Sequence, residues 1–502
     1  MIQLYFASLG CDKNLVDTEH MLGSLDPGRY AVTNDEEAAD VIVINTCCFI
    51  DDAKEESIET ILELAQWKKA GKCRSLIVAG CLAERFREEV LKELPEVDAI
   101  LGTGSFSRIS EAVEKTLAGE KAVWLESEKK EKAPDPDMLF QMAAEKTREK
   151  VAEEETNASV SEEQIPGTDA GAGQFDAQAA VQSDSRNDEV RPRRIRMHAG
   201  AYGYLKIAEG CNKHCTYCVI PSIRGSYRSF PMEELLAEAG DLADSGVREL
   251  IVIAQETTYY GVDLYQKKML HILLERLCEI EEFHWIRILY CYPEEIYPEM
   301  IETMKKHRDK IVPYLDLPIQ HADDMVLKRM GRRTTHAELV SVIQNLRREL
   351  PDIALRTTLI SGFPGETEEQ HQNLLAFVRE IRFDRLGVFA YSQEEGTPAA
   401  RMSGQIPDEV KQRRRGELLA AQQEISLSNG QKRIGSELEV QIDGYLPEDD
   451  VYVARTYADA PDVDGYLFLE ADASLNTGDF VRARVTGAME YDLTGEMIEE
   501  EI

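Results

Sequence analysis

Apolar residues recur with two different periods over the first 125 residues, and the alternation predicts strands separated by helices. Three short apolar runs rich in strand-forming residues predict strands: Ile2–Ala7, Val41–Thr46 and Ser75–Gly80. Helical spacing predicts helices over the intervening segments Lys13–Leu25 and Ala53–Ala70. Strands that alternate with helices pair in parallel, so residues 1–125 are expected to form an α/β domain with a parallel sheet.

A second alternating region extends from about Arg193 to about Gly430. Helical patterns such as Met232–Ser245 and Glu366–Ile381 separate its strand-like runs. Six of these runs end at Ile207, Ala254, Tyr290, Pro318, Ser361 and Tyr391. About six strand–helix units predict a partial TIM-like (β/α)6 barrel over residues 193–431, rather than a closed barrel of eight.

Two further segments lack this alternation. Within residues 126–192, the stretch between Lys150 and Arg186 contains no lysine or arginine, and Phe175 is the one aromatic residue of that stretch. Such a segment cannot bury enough apolar surface to order itself, so an acidic disordered linker is expected. Residues 432–502 combine short strand patterns with turn signals such as Asp443-Gly444, which predicts a small β-barrel.

Length and charge limit the functional classes. The 502 residues suffice for about three domains, and no apolar run reaches the roughly 20 residues that span a bilayer. The first residues contain no basic leader, so a cytoplasmic protein without a membrane partner is expected, in which the ten cysteines are metal ligands or buried thiols. The net charge of −36 disfavours a direct nucleic-acid substrate and suits a basic protein partner.

Cys211, Cys215 and Cys218 carry the most specific chemical signal. Three thiolates at Cys-x-x-x-Cys-x-x-Cys spacing bind three irons of a four-iron, four-sulfur (4Fe–4S) cluster and leave the fourth iron open to a small ligand. Zinc is the alternative, but it needs a fourth protein ligand. The one nearby candidate, His214, is flanked by ligating cysteines, so an iron–sulfur cluster is favoured.

A second set of cysteines follows the three strands predicted in residues 1–125: Cys11, Cys47 and Cys81. The carboxyl ends of parallel strands lie at one edge of a sheet, where loops converge on ligands. These thiols can therefore meet and hold a second cluster. The alternative is that cysteine is a common small buried residue, which is the interpretation for four others: Cys48, Cys73, Cys278 and Cys291.

Together these motifs resemble the methylthiotransferases of the radical S-adenosylmethionine (SAM) superfamily, over nearly all of the chain outside the linker. The resemblance is carried by Ser8–Cys11, Asn45–Cys47, Ala79–Cys81, Tyr314–His321, Lys328–Arg332 and Gly362–Thr367. It implies two 4Fe–4S clusters, an auxiliary one on Cys11, Cys47 and Cys81 and a SAM-binding one on Cys211, Cys215 and Cys218. Residues 432–502 resemble the family's TRAM domain, for which substrate recognition is expected.

Several residues are expected to contact SAM. Tyr217 matches an aromatic position that the superfamily uses against the adenine, although plain packing is an equal alternative. Gln255, Glu256, Gln320 and Thr357 stand at or near strand ends, where polar contacts to the methionine or ribose part of SAM are expected, with a solvated loop position as the alternative. Gly362 and Gly365 belong to a turn that lets the backbone approach a ligand.

Two substrates compete within this family: tRNA adenosines and an aspartate of ribosomal protein S-twelve. Three stretches resemble the second branch: Tyr391–Ala399, Tyr457–Gly465 and Glu490–Glu496. From Glu437 to Ile502 there are 18 acidic and three basic residues, a charge that complements a basic protein better than RNA. Methylthiolation of the aspartate is therefore expected, with tRNA methylthiolation as the alternative.

The resemblance also implies the reaction. A methylthio group replaces a hydrogen on the aspartate β-carbon, one SAM molecule donates the methyl group, another serves as radical source, and the auxiliary cluster supplies the sulfur. An electron donor such as flavodoxin is the expected second protein partner. A non-catalytic iron–sulfur scaffold would need no SAM pocket, and the cysteine spacing together with the barrel pattern disfavours it.

Overall fold

The structure is a computed structural model that describes residues 1–125 and 194–498. Six strands form the N-terminal sheet: β1 (Ile2–Ser8), β2 (Tyr30–Val32), β3 (Val41–Thr46), β4 (Ser75–Gly80), β5 (Ala99–Leu101) and β6 (Ala122–Trp124). All pairs are parallel, in the order β2-β1-β3-β4-β5-β6. The helices are α1 (Asp12–Gly23), α2 (Asp51–Leu64), α3 (Trp67–Ala70), α4 (Cys81–Phe86), α5 (Glu88–Glu93) and α6 (Ile109–Leu117).

The central strands β3 and β4 are buried along their whole length. Such continuous burial is typical of a parallel sheet that is covered on both faces. The prediction of a parallel α/β domain is confirmed, and the predicted strand over Val41–Thr46 has the observed bounds. The one helix predicted over Ala53–Ala70 is instead two helices, α2 and α3.

The strands of the second region are β7 (Tyr202–Lys206), β8 (Ala208–Glu209), β9 (Arg228–Ser229), β10 (Glu249–Ile253), β11 (Trp285–Ile288), β12 (Ile311–Asp316), β13 (Ala354–Ser361) and β14 (Arg385–Ala390). Six of them form a parallel sheet in the order β14-β13-β12-β11-β10-β7, while β8 and β9 pair separately. This arrangement confirms the predicted partial barrel of six strand–helix units.

Nine helices of the second region lie within the described ranges: α7 (Ile220–Arg224), α8 (Met232–Asp244), α9 (Val262–Tyr265), α10 (Leu270–Cys278), α11 (Pro298–Lys306), α12 (Asp324–Arg329), α13 (His336–Glu349), α14 (Glu368–Ile381) and α15 (Asp408–Gln431). Capping boxes begin two of them, with Thr335 before α13 and Thr367 before α14. Apolar residues of the helices pack on the outer face of the barrel in one large core that includes Leu235, Leu274 and Leu374.

Five strands close into the small C-terminal barrel: β15 (Glu437–Leu446), β16 (Val451–Thr456), β17 (Leu467–Glu470), β18 (Phe480–Ala488) and β19 (Leu493–Met497). The order is β15-β16-β17-β19-β18, with only the β17–β19 pair parallel among these strands. Val440, Ile442 and Val485 belong to its own apolar core. The prediction of a small β-barrel is confirmed.

The Tyr457–Gly465 stretch packs against residues of the parallel barrel strands. Ala458 and Ala460 are buried in one cluster with Trp285 of β11 and Ala354 of β13. Tyr314 donates a hydrogen bond of 2.7 Å to Asp464. This stretch, one of the three that resemble the S-twelve branch, therefore packs against the barrel.

The predicted linker over residues 126–192 lies outside the described residues. No helix in the described ranges is both long and apolar enough to cross a membrane.

Candidate functional site

The thiols of the Cys-x-x-x-Cys-x-x-Cys motif lie in the loop between β8 and α7, beyond the carboxyl end of the first barrel strand. Cys211 and Cys215 are buried, and Cys218 is partly exposed. The backbone amide of Lys213 donates to the sulfur of Cys211 at 3.5 Å. The backbone amide of Ile220 donates to the sulfur of Cys218 at the same distance. Donors aimed at sulfur stabilise thiolate ligands, so this loop is suited to hold a metal cluster.

The other three predicted ligands also meet at one sheet edge. Cys11 precedes α1, Cys47 directly follows β3, and Cys81 directly follows β4. Strands β1, β3 and β4 are neighbours in the sheet, so their carboxyl ends lie side by side. A Cβ atom built on Gly10 would lie 2.6 Å from the Cβ of Cys47, which shows how closely these two loops approach.

Asn14 of α1 connects all three loops. Its side-chain amide donates to the carbonyl oxygens of Leu9, at 2.8 Å, and Thr46, at 3.0 Å. Its Oδ1 atom lies 3.8 Å from the sulfur of Cys81. Since Leu9 and Thr46 stand just before Cys11 and Cys47, one buried side chain fixes the relative positions of the three thiols.

The spacing of the thiols argues against a single zinc ion. Zinc–sulfur bonds of about 2.3 Å draw the ligating sulfur atoms to within about 4 Å of one another. Within the described residues, the one group of three metal-ligand atoms all lying within 4.8 Å is Glu368, His371 and Glu417, and neither cysteine triad is that compact. A cluster of several irons holds its thiolates further apart than one zinc ion does.

Burial controls the protonation of the thiols. It raises the pKa of Cys211 to about 11 and also raises the pKa values of Cys47, Cys81 and Cys218 above the ordinary range. These thiols hold their protons near neutral pH unless a metal displaces them, since metal ligands must be thiolates.

Buried polar atoms without partners lie in loops of the barrel. Gln255, Glu256 and Gln320 follow β10 and β12, as the sequence predicted. Among the described residues, the Oε1 atoms of Gln255 and Gln320 and the Nε and Nη1 atoms of Arg332 are buried without a hydrogen-bond partner. Such atoms would be costly unless a polar ligand satisfied them, so these side chains suit a polar ligand such as SAM.

Glu256 and Tyr217 lie close to the cysteine loop. The Glu256 carboxylate is 3.2 Å from the Lys213 ammonium, yet burial raises its pKa to about 7. Burial, together with the neighbouring Cys215 thiol, raises the pKa of the Tyr217 phenol well above its ordinary value. Tyr217 also packs against an apolar cluster, so the adenine contact and the packing role are both compatible with its position.

Three other predicted site residues are engaged with the protein itself. The Thr357 hydroxyl donates to the Leu317 carbonyl at 2.7 Å, inside the barrel wall. Gly362 and Gly365 have positive φ angles of 72° and 76°. Side chains would block a Cβ atom at either position, Lys411 at the first and Arg329 at the second.

A buried ionic network that sequence reasoning missed connects the cysteine site of the N-terminal sheet to the barrel. Its charged members are Asp17 of α1, Lys206 of β7, Glu209 of β8 and Arg224 of α7. Each is at most 6% exposed. Arg224 also donates to Asn14 Oδ1 at 2.5 Å and lies 3.7 Å from the Cys81 sulfur. The sequence signal for this network was the presence of polar residues inside the helical pattern of α1. That pattern does not show which residues they contact.

A six-stranded partial barrel with three thiols after its first strand and unpartnered polar groups around them defines a radical SAM enzyme. Three family matches agree: residues 205–378 match the Radical SAM superfamily, residues 3–102 match Uncharacterized protein family UPF0004, and residues 434–498 match the TRAM domain.

Full-length relatives identify the family. The chain is 51% identical over 494 residues to the ribosomal protein uS12 methylthiotransferase RimO of Lachnoclostridium phytofermentans, covering 98% of this chain and 99% of that protein. RimO proteins of Pelotomaculum thermopropionicum and Clostridioides difficile are 44% and 43% identical, covering 99% and 100% of both chains in each comparison. The chain belongs to the RimO family of methylthiotransferases, so the family resemblance inferred from the sequence is confirmed.

One solved structure shares the fold at low sequence identity. The radical SAM methyltransferase TsrM of Kitasatospora setae, with cobalamin and a 4Fe–4S cluster bound, has a TM-score of 0.50 and 14% identity. The match covers 79% of this chain and 76% of TsrM, and it supports the fold assignment alone.

Proposed function

We propose that this chain is a radical SAM enzyme that transfers a methylthio group to the β-carbon of an aspartate in ribosomal protein uS12, called S-twelve above. Cys211, Cys215 and Cys218 are assigned to the SAM-binding 4Fe–4S cluster, and Cys11, Cys47 and Cys81 to the auxiliary cluster. The observation that carries this assignment is the placement of two cysteine triads at the carboxyl edges of two parallel sheets, with Arg224 of the barrel beside Cys81 of the other triad.

The cofactors supply the chemistry that side chains lack. An aspartate β-hydrogen is too weakly acidic for any side-chain base at neutral pH, so the bound clusters and SAM provide the electron, the radical, the methyl group and the sulfur. The protein binds and orients these groups and excludes water.

We assign the polar contacts with SAM to four residues: Tyr217, Gln255, Glu256 and Gln320. Gln255 and Gln320 have buried oxygen atoms that no described residue satisfies. We assign Thr357, Gly362 and Gly365 to the wall of the SAM site. The Thr357 hydroxyl is already hydrogen-bonded to a backbone carbonyl, and neighbouring side chains fill the space beside each glycine Cα.

The partners follow from the reaction. The protein substrate is uS12, and an electron donor such as flavodoxin reduces the cluster. We place the reaction in the cytosol, where the ten free thiols remain reduced and available to bind clusters.

Two cysteine variants test the division of roles. Cys211→Ala is expected to abolish SAM cleavage, whereas Cys47→Ala should still form 5′-deoxyadenosine but yield no methylthiolated uS12. Both products are measured by mass spectrometry after anaerobic reconstitution. Cys73→Ala, at a buried thiol outside both triads, is the control and should retain both activities. Equal loss of SAM cleavage in the two ligand variants, with the remaining cluster loaded, would contradict the assignment.

A genetic comparison tests the substrate. Ribosomal protein uS12 from cells lacking this chain should lose the methylthio mass on its aspartate, while 2-methylthio modification of tRNA adenosines is unchanged. The reverse result would favour the tRNA reaction.

A further inference from the structure

Arg224 belongs to the barrel but reaches the auxiliary cysteine site. It is the last residue of α7, six positions after Cys218, and only 2% of it is exposed. Its Nη2 atom lies 3.7 Å from the sulfur of Cys81 and donates to Asn14 Oδ1 at 2.5 Å. The barrel thus places a permanently charged group beside a ligand of the neighbouring domain's cluster.

The opposite side of the guanidinium is held by carboxylates. Its Nη1 atom donates to Asp17 at 3.0 Å and to Glu209 at 2.9 Å. Lys206 pairs with both carboxylates, so two cations balance two anions. These bonds leave the planar group little freedom to turn away from Cys81, because a buried ion that lost its partners would be costly.

The same network reaches the SAM pocket. Gln255, which we assign to SAM binding, donates to Glu209 Oε1 at 3.0 Å, and that oxygen also accepts a bond from Arg224. Contacts therefore run without a gap from the SAM pocket through Glu209 and Arg224 to Cys81.

A charged donor beside a cluster thiolate affects the cluster's redox behaviour. Hydrogen bonds to ligand sulfur atoms and nearby charges set the reduction potential of iron–sulfur clusters. Reduction adds negative charge, which a neighbouring cation stabilises, and burial keeps salt from screening the interaction. Arg224 is therefore expected to favour the reduced auxiliary cluster.

We propose that Arg224 is a positioning residue of the auxiliary cluster, which donates to the Cys81 sulfur from the barrel and raises the reduction potential of that cluster. The proposal rests on the assignment of Cys11, Cys47 and Cys81 as cluster ligands. It makes the auxiliary site dependent on a residue of the SAM-binding domain.

The test isolates the auxiliary cluster in the full-length chain. Replacing Cys211, Cys215 and Cys218 together by alanine leaves one cluster, whose reduction potential is measured by redox titration followed by electron paramagnetic resonance. Arg224→Gln in this background should lower the potential and change the spectrum.

The matched control is Arg194→Gln. Arg194 is as buried at its side chain as Arg224, at 2%, and it also connects α1 to the barrel, since it donates to Glu19 at 2.6 Å and to Glu238 at 3.1 Å. Its hydrogen-bond partners include no cysteine. This variant should leave the potential unchanged.

A second variant guards against misfolding. Arg224→Gln with Asp17→Asn removes one cation and one anion, so Lys206 and Glu209 remain balanced. In the chain with all six cysteines, this double variant should still cleave SAM but form about 10- to 100-fold less methylthiolated product per SAM cleaved.

The outcomes separate the two proposals. An unchanged potential and spectrum in Arg224→Gln, with about four irons bound, would overturn the role of Arg224. Failure of the triple cysteine variant to bind about four irons would instead overturn the assignment of Cys11, Cys47 and Cys81 as cluster ligands.

Discussion

His321 illustrates how the environment of one side chain fixes its protonation state. The residue is fully buried near the end of the Tyr314–His321 motif, and its Nδ1 atom accepts a hydrogen bond from the Asp323 amide at 2.9 Å. Burial, reinforced by His371 and the positive charge of Arg414, lowers the pKa of His321 to about 3. The folded protein therefore keeps this imidazole neutral at any pH at which the enzyme would work.

This depressed pKa predicts a pH-dependent stability. An unfolded histidine gains a proton below about pH 6.5, whereas folded His321 does not until about pH 3, so protons favour the unfolded state between these values. The free energy of unfolding should fall by up to about 1.4 kcal/mol per pH unit from this residue as the pH drops below about 6.5. Urea unfolding at several pH values, in the wild type and in His321→Asn, measures this pH dependence of the free energy of unfolding, which should be smaller in the variant. Parallel slopes in the two proteins would contradict the prediction.

Junctions between elements place the ligand cysteines. At Gly80 strand β4 ends and helix α4 begins with the next residue, Cys81. The backbone there has φ of 91° and ψ of −151°, a region that essentially only glycine occupies. This abrupt turn puts the Cys81 thiol at the sheet edge instead of one helical turn away from it.

Replacing this glycine should damage the auxiliary site. A Cβ atom on Gly80 would lie 2.7 Å from the Thr46 carbonyl oxygen and would overlap the Asn45 side chain. Gly80→Ala is therefore expected to destabilise the protein by more than the roughly 1–3 kcal/mol of backbone strain, and to lower bound iron from about eight to about four atoms. Urea unfolding and iron analysis measure these effects.

Gly119→Ala is the matched control for this variant. Gly119 has a similar φ of 84°, but no described atom lies within 4 Å of an added Cβ. It should show the backbone strain alone and keep its iron. Equal losses of stability and of bound iron in the two variants would show that close packing around Gly80 is not needed to form the auxiliary site.

Element prediction succeeded where the pattern was long enough to be periodic. Strands β1, β3 and β4 were located to within one residue, and the six barrel strands to within two residues at their carboxyl ends. The three-residue strands β2, β5 and β6 were not predicted, because so short a segment has no measurable period. The split between α2 and α3 was also missed, since both keep the helical spacing.

Across the whole molecule, buried ion pairs join the C-terminal segment to the barrel. Arg385 at the start of β14 donates to Asp459 at 3.1 Å. Glu249 of β10 accepts bonds of 2.7 Å from both Arg287 and Arg455. Part of the negative charge counted in the C-terminal sequence is therefore neutralised inside the protein and does not face a partner.

Breaking one of these pairs should cost more than breaking a surface pair. Arg385→Met leaves the Asp459 carboxylate buried without its guanidinium, so a loss of about 3–5 kcal/mol in the free energy of unfolding is expected. Arg484→Met is the control, because Arg484 is about half exposed and pairs with the exposed Glu437, so a change within about 0.5 kcal/mol is expected. Chemical denaturation measures both. Similar small losses would show that the C-terminal segment does not stabilise the barrel.

Local sequence was sufficient to identify the six candidate ligand cysteines, the parallel sheets that carry them and the family. The spacing of ligands within a loop and the position of cysteines after strands are short-range sequence patterns. They can be recognised without knowing how the side chains pack. The contact of Arg224 with Cys81 joins residues 143 positions apart, and the burial of Asp459 and Asp464 depends on contacts with distant strands. No periodicity records such pairs, because partners in a buried ionic network are selected by three-dimensional proximity and desolvation, which exist only once the chain has folded.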